Sequence, residues 1–121
     1  MIKIMIVEDM IVIQEILKEI FNLKGYSVIY TASDGQEAID YFLNPNNTYP
    51  DLIIMDHRMP NKDGLTALKE ILEISSEIKI VFVSADESAR NEALKKGAIS
   101  YLVKPISIKD ILTLIDELVI S

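Results

Sequence analysis

Apolar residues along the chain fall into two alternating patterns: short, largely continuous runs, and stripes that recur at helical spacing. The runs are Ile2 to Val7, Tyr26 to Tyr30, Leu52 to Met55, Ile78 to Val83 and Tyr101 to Val103, rich in β-branched residues, and they predict strands. Between them lie the stripes. From Asp9, a candidate N-cap, Ile13, Ile16, Leu17, Ile20 and Phe21 run to Lys24, with Gly25 where a helix stop is expected. Ser33 or Asp34 can cap a helix carrying Ala38, Ile39, Phe42 and Leu43, which Asn44-Pro45-Asn46-Asn47 breaks. Leu65, Leu68, Ile71 and Leu72 make a third helix. A fourth, about Glu87 to Lys96, has only Ala89, Ala93 and Leu94 on its apolar face and stops at Gly97, so it should be the least firmly held. Ser107 caps the last, with Ile108, Ile111, Leu112, Ile115, Leu118 and Val119. Strands alternating with helices in this way specify an α/β fold with a doubly wound parallel sheet, because parallel neighbours need helical crossovers.

The polar residues that close the strands change the picture from fold to chemistry. Leu52 to Met55 is bounded by Asp51 and Asp56, and a run this short and this apolar suits a strand buried on both faces. It delivers Asp56 to the carboxyl edge of the sheet, where open α/β sheets bind ligands. Glu8 and Asp9, Ser84 and Lys104 end other strands at the same edge. Three clustered carboxylates repel one another, so either a proton is shared or a cation sits among them. Oxygen-only ligands with room for water suit Mg²⁺, or Mn²⁺ in its place. A carboxylate nucleophile, a hard cation, a lysine and a hydroxyl are together the parts needed to take up a phosphoryl group.

Composition narrows the alternatives. At 121 residues, 50% hydrophobic, the chain is long enough for one soluble domain spanning 1–121 and leaves no linker for a second, effector domain. Its net charge of -7 argues against nucleic acid, whose phosphates need a basic surface. There is no cysteine, hence no thiolate ligand and no thiol nucleophile. The N-terminus turns acidic too early for a signal peptide and no apolar run approaches a bilayer span, so no membrane contact and a cytoplasmic location are expected.

At these residues the chain resembles the receiver domain of two-component response regulators, over essentially its whole length. Glu8-Asp9, Asp56, Met59-Pro60 with Asp63-Gly64, Ser84-Ala85, Tyr101 and Lys104-Pro105 occur in that family's order and spacing. The resemblance implies a flavodoxin-like five-stranded sheet of order 2-1-3-4-5 with five helices. It implies that Asp56 accepts a phosphoryl group from the phosphohistidine of a sensor histidine kinase or phosphotransfer protein, or from a small acyl phosphate. Mg²⁺ would be held by Asp9, Asp56, the backbone carbonyl of Arg58 and, through water, Glu8. Lys104 and Ser84 would bind phosphoryl oxygens. Ser84 and Tyr101 would then act as the switch that changes the face of helix four, strand five and helix five toward an unknown output protein, with the chain a monomer or a phosphorylation-dependent dimer. The peptide before Pro105 is expected to be cis. The kinase would dock over helix one, with Met10, Ile13 and Gln14 as contacts. By the same resemblance the protein is a signalling phosphoacceptor rather than an enzyme, and its chain end after the last helix suggests a stand-alone regulator.

Other readings compete residue by residue. Glu8-Asp9 could be a solvated strand end, Ser84 a helix cap, and Tyr101 simply a packed strand residue. His57 follows Asp56 directly, so its side chain should point away from the site, and a solvent-facing loop histidine is expected. Arg58 and Asp86 are expected to pair across the site mouth and slow hydrolysis of an aspartyl phosphate; two independent surface charges are the alternative. A dehalogenase-type hydrolase would want a second aspartate where Arg58 stands. A flavin carrier would want a glycine-rich phosphate loop where Glu8-Asp9 would repel phosphate. A degenerate receiver that binds partners without phosphorylation is the remaining alternative.

Overall fold

A computed structural model describes residues 1–120, and side chains as far as Leu118. Strand β1 spans Lys3–Val7, β2 Ser27–Ala32, β3 Leu52–Met55, β4 Lys79–Ser84 and β5 Ser100–Val103. Helix α1 spans Ile11–Leu23, α2 Gly35–Leu43, α3 Gly64–Ile74, α4 Arg90–Lys95 and α5 Ile108–Ile120. All pairings are parallel, in the order β2-β1-β3-β4-β5. The doubly wound parallel sheet is the one expected from the alternation of runs and stripes, and the flavodoxin-like strand order is the one the family resemblance implied.

Alternation along the buried strands divides the core into two layers. Met5, Val7, Ile53, Met55, Ile80 and Phe82 face Ala38, Ile39 and Phe42 of α2, Ala67, Leu68 and Ile71 of α3, and Ala93 of α4. The residues between them, Ile4, Ile6, Leu52, Ile54, Val81 and Val83, face Phe21 of α1 with Ile111 and Ile115 of α5. All four residues of β3 are buried, as a strand covered on both faces requires. Asp116 of α5 is tied to the end of α1 by the Tyr26 hydroxyl, which donates to it, and by Lys24 at 3.6 Å.

Several local expectations shift. Helix α1 starts later than an Asp9 cap would have it: Met10 holds the cap position without a side-chain bond, because the Asp9 carboxylate belongs to the acidic cluster described below. Asp34, rather than Ser33, caps α2 by accepting from the Glu37 N–H. Leu43, Ile16, Leu94 and Ile108 are exposed although they fit their helical stripes, since they sit at the stripe's margin. The fourth helix is shorter than expected: Glu87–Ala89 is a 3₁₀ turn capped by Asp86, and α4 follows it. Gly25 and Gly97, at φ +90° and +118°, end α1 and α4 as the stops predicted. Val119 lies outside the residues whose side chains are described. Among the described residues, no helix is long and apolar enough to cross a membrane.

Candidate functional site

The sheet register assembles the site. Val7 is level with Met55, and Ser84 with Val103, so Glu8, Asp56, Ser84 and Lys104 emerge at one edge. Hydrogen bonds carry the ladder past the strand ends: Asp56 N–H donates to Val7 O at 3.0 Å and Lys104 N–H to Ser84 O at 2.8 Å. The carboxylates of Glu8, Asp9 and Asp56 each place an oxygen within 4.8 Å of the others. Lys104 Nζ lies 3.0 Å from Glu8 Oε1 and 3.9 Å from Asp56 Oδ2. The Lys104-Pro105 peptide is cis, as the family resemblance implied.

Glu8 is 4% exposed. Burial pushes its carboxyl above the ordinary glutamate value; the bonds from Lys104 and from Met10 N–H oppose the rise, and repulsion from Asp56 adds to it. One lysine against three carboxylates leaves the cluster short of positive charge. Its donors are all oxygens from two adjacent strand ends, so the set fits a hard divalent cation such as Mg²⁺. Asp56 Oδ1 also accepts from His57 N–H at 2.7 Å, leaving Oδ2 toward Lys104.

The loop after β3 is pinned from three sides, which sequence reasoning did not anticipate. A Cβ on Gly64 would lie 2.5 Å from Asp56 O and 2.7 Å from Phe82, so only glycine lets α3 start against the acceptor's own backbone. Asn61, at φ 65°, donates its side-chain amide to Asp34 at 2.6 Å, and Gly35 N–H donates to Lys62 O at 3.1 Å. The turn-forming types in Asn61 to Gly64 signal a loop; nothing in them signals that the loop is strapped to the start of α2.

On the other side, Ser84 is buried and its Oγ accepts from Asp86 N–H at 3.2 Å. Tyr101 is packed inward: its ring stacks on Phe82 with centroids 5.3 Å apart, and its hydroxyl donates to Asp86 O. Arg58 and Asp86 do pair, at 3.1 Å, with 76% of the arginine side chain exposed and 9% of the aspartate's. The Asp86 carboxyl is held below its usual value by the Ser88 hydroxyl bond first, then by Ser88 N–H and Arg58.

Two assignments need correction. His57 is not solvent-facing: only 13% of its side chain is exposed, Nδ1 is buried without a partner, and Nε2 lies 3.9 Å from Asp86 Oδ2. Pointing away from Asp56 takes it under the loop after β4 rather than into water. Gln14 is no docking contact either; it is 4% exposed, its amide turned inward onto the backbone at the ends of β1 and β2. Met10 remains exposed on α1, with Ile13 half-buried beside it.

Residues 4–116 match the family model described as the response regulator receiver domain. The chain is 33% identical over 117 residues to the chemotaxis protein CheY of Bacillus subtilis, covering 95% of each chain. It is 38% identical over 122 residues to the transcriptional regulatory protein PdtaR of Mycobacterium tuberculosis, covering 98% of this chain and 57% of that one. Among solved structures it is similar to the CheX-CheY-BeF3-Mg complex of Borrelia burgdorferi, with a TM-score of 0.88, 31% identity, and coverage of 99% of this chain and 90% of that one. It is likewise similar to the response regulator TrrA of Thermotoga maritima in complex with Mg-BeF, with a TM-score of 0.84, 31% identity, and coverage of 98% and 99%.

Proposed function

Because this chain belongs to the response regulator receiver family, we propose that it is a phosphoacceptor in which Asp56 is the residue modified. The observation that carries the reading is the convergence of Glu8, Asp9 and Asp56 on one sheet edge with Lys104 between Glu8 and Asp56. An Asp56 carboxylate oxygen attacks the phosphorus of a phosphohistidine, or of a small acyl phosphate; the new P–O bond forms as the bond to imidazole nitrogen or acyl oxygen breaks, and the leaving group departs with that electron pair. Lys104 is in reach of the acceptor and neutralises charge gathering on the phosphoryl oxygens. Glu8, Asp9, Asp56 and the Arg58 carbonyl would hold Mg²⁺, which supplies further neutralisation there and is consistent with the Mg-BeF complexes of two similar structures. Mn²⁺ fits the same oxygen donors.

Ser84 donates its hydroxyl proton to a phosphoryl oxygen, which its acceptance of the Asp86 N–H bond leaves free to do. Tyr101 is coupled to the same loop, because its hydroxyl donates to the carbonyl of Asp86. The output is a changed affinity of the α4, β5 and α5 face for another protein, and the donor is a histidine kinase or phosphotransfer protein that reaches Asp56 past Met10 and Ile13. The protein works in the cytoplasm, by binding rather than by turning over a substrate.

The test is intact mass after incubation with a small acyl phosphate and Mg²⁺, on the wild type, on Asp56→Asn and on a chelated control. One phosphoryl adduct, lost in both controls, supports the reading. An unmodified wild type refutes it in favour of a degenerate receiver that signals by binding alone.

A further inference from the structure

Gln14 occupies a core-facing position of α1. Leu17 and Phe21, three and seven residues on, share its face and pack toward the sheet, where an apolar side chain would be the simpler choice. Instead the position holds an amide that is 4% exposed. Nε2 donates to Glu8 O, and lies 3.3 Å from Ala32 O and 3.4 Å from Ser33 Oγ. Ala32 O also accepts from Glu8 N–H at 3.0 Å. The Glu8 residue is therefore held at both of its peptide groups, through its own N–H on one side and through its carbonyl on the other. A buried amide is retained in a core only where its hydrogen bonds are met, and here Glu8 O, in the segment that displays the two carboxylates, meets them together with Ala32 O and Ser33 Oγ at the end of β2.

We propose that Gln14 is a positioning residue for the metal site: its amide fixes the Glu8-Asp9 peptide so that both carboxylates are aimed at Asp56 before a cation arrives. The inference rests on the reading of the acidic cluster as a Mg²⁺ site. Gln14 touches none of the reacting atoms and acts through the Glu8 carbonyl. Without the donor, that buried carbonyl loses its side-chain partner and the peptide between the two acids gains freedom to rotate, which spreads the carboxylates over several orientations. Groups that orient ligands from behind in this way typically govern about 10-fold to 100-fold in metal affinity.

The experiment is isothermal titration of metal-free protein with MgCl2, alongside thermal unfolding of the same samples. Gln14→Met keeps the volume and removes the donor. Gln14→Asn keeps an amide that ends one methylene short of Glu8 O. Each is expected to raise the Mg²⁺ Kd about tenfold while unfolding cooperatively well above the titration temperature. A purely structural role would lower the unfolding midpoint and leave the Kd of the folded protein where it was. A Kd within about twofold of wild type in either folded variant overturns the proposal and leaves the acceptor reading standing. A wild type that binds no Mg²⁺ overturns both.

Discussion

Replacing Lys104 with methionine removes one charge from the site while keeping most of the side chain's bulk. The ammonium lies 3.0 Å from Glu8 Oε1 and 3.9 Å from Asp56 Oδ2. At an effective dielectric of about 20, unit charges about 3 Å apart attract by roughly 5 kcal/mol. Withdrawing both ions from water offsets most of that, and the 29% of the lysine side chain still exposed is screened by solvent. The expected net loss is about 1–2 kcal/mol at neutral pH, or a urea midpoint lowered by about 0.5–1 M for a domain of this size.

The pH dependence identifies the cause. Burial already raises the Glu8 carboxyl above 4.5, and the Lys104 bond opposes that rise, so Lys104→Met lifts it further. An acid whose folded value is raised favours folding below its ordinary value and loses that contribution as pH rises through the folded value. The gap between wild type and variant is therefore widest near neutrality and narrows as pH falls toward 4.5. Urea titrations followed by circular dichroism at both pH values, in metal-free buffer, measure it. Adding Glu8→Gln should recover most of the loss, because the buried charge left alone by Lys104→Met is then gone. An equal loss at both pH values, unrelieved by Glu8→Gln, would refute the electrostatic account and leave packing as the cause.

Two other perturbations separate stability from chemistry. Asp34→Ala removes the cap accepted from Glu37 N–H at 2.8 Å and the tie from Asn61 at 2.6 Å, with an expected loss of about 2 kcal/mol near neutrality. The Asp34 carboxyl is held below 3.8 by the Glu37 N–H first and also by Asn61, so its contribution is present above 3.8 and is lost as pH falls through the depressed value; a wild-type advantage that persists undiminished in denaturation at pH 2 would contradict this. Arg58→Asn breaks a pair whose arginine is 76% exposed, so stability should change by less than about 0.5 kcal/mol, while decay of the Asp56 phosphoryl adduct, followed by intact mass, should speed up. No acceleration would mean that the pair does not guard the site mouth.

How much of this was legible in the chain depended on whether a feature is periodic or folded back. The strands and the helices that cross between them follow from hydrophobic spacing, because a buried strand and an amphipathic helix each leave a repeat that no packing detail can hide, whereas the strand order came from the family resemblance. The edge at which Glu8, Asp9, Asp56, Ser84 and Lys104 meet follows as well: parallel strands all end on the same side, so polar residues after apolar runs must gather there. Roles within that edge were legible only by resemblance to a family. What only the tertiary structure decided is which loops press on one another. Gln14 and His57 are polar residues expected at the surface; one turns in to meet carbonyls at the ends of β1 and β2, and the other is covered by the loop after β4. Gly64 is excluded from carrying a side chain by Asp56 O and Phe82, which lie 8 and 18 positions away in the chain. Such contacts join segments whose approach depends on the whole sheet, so a local window of residues holds no trace of them.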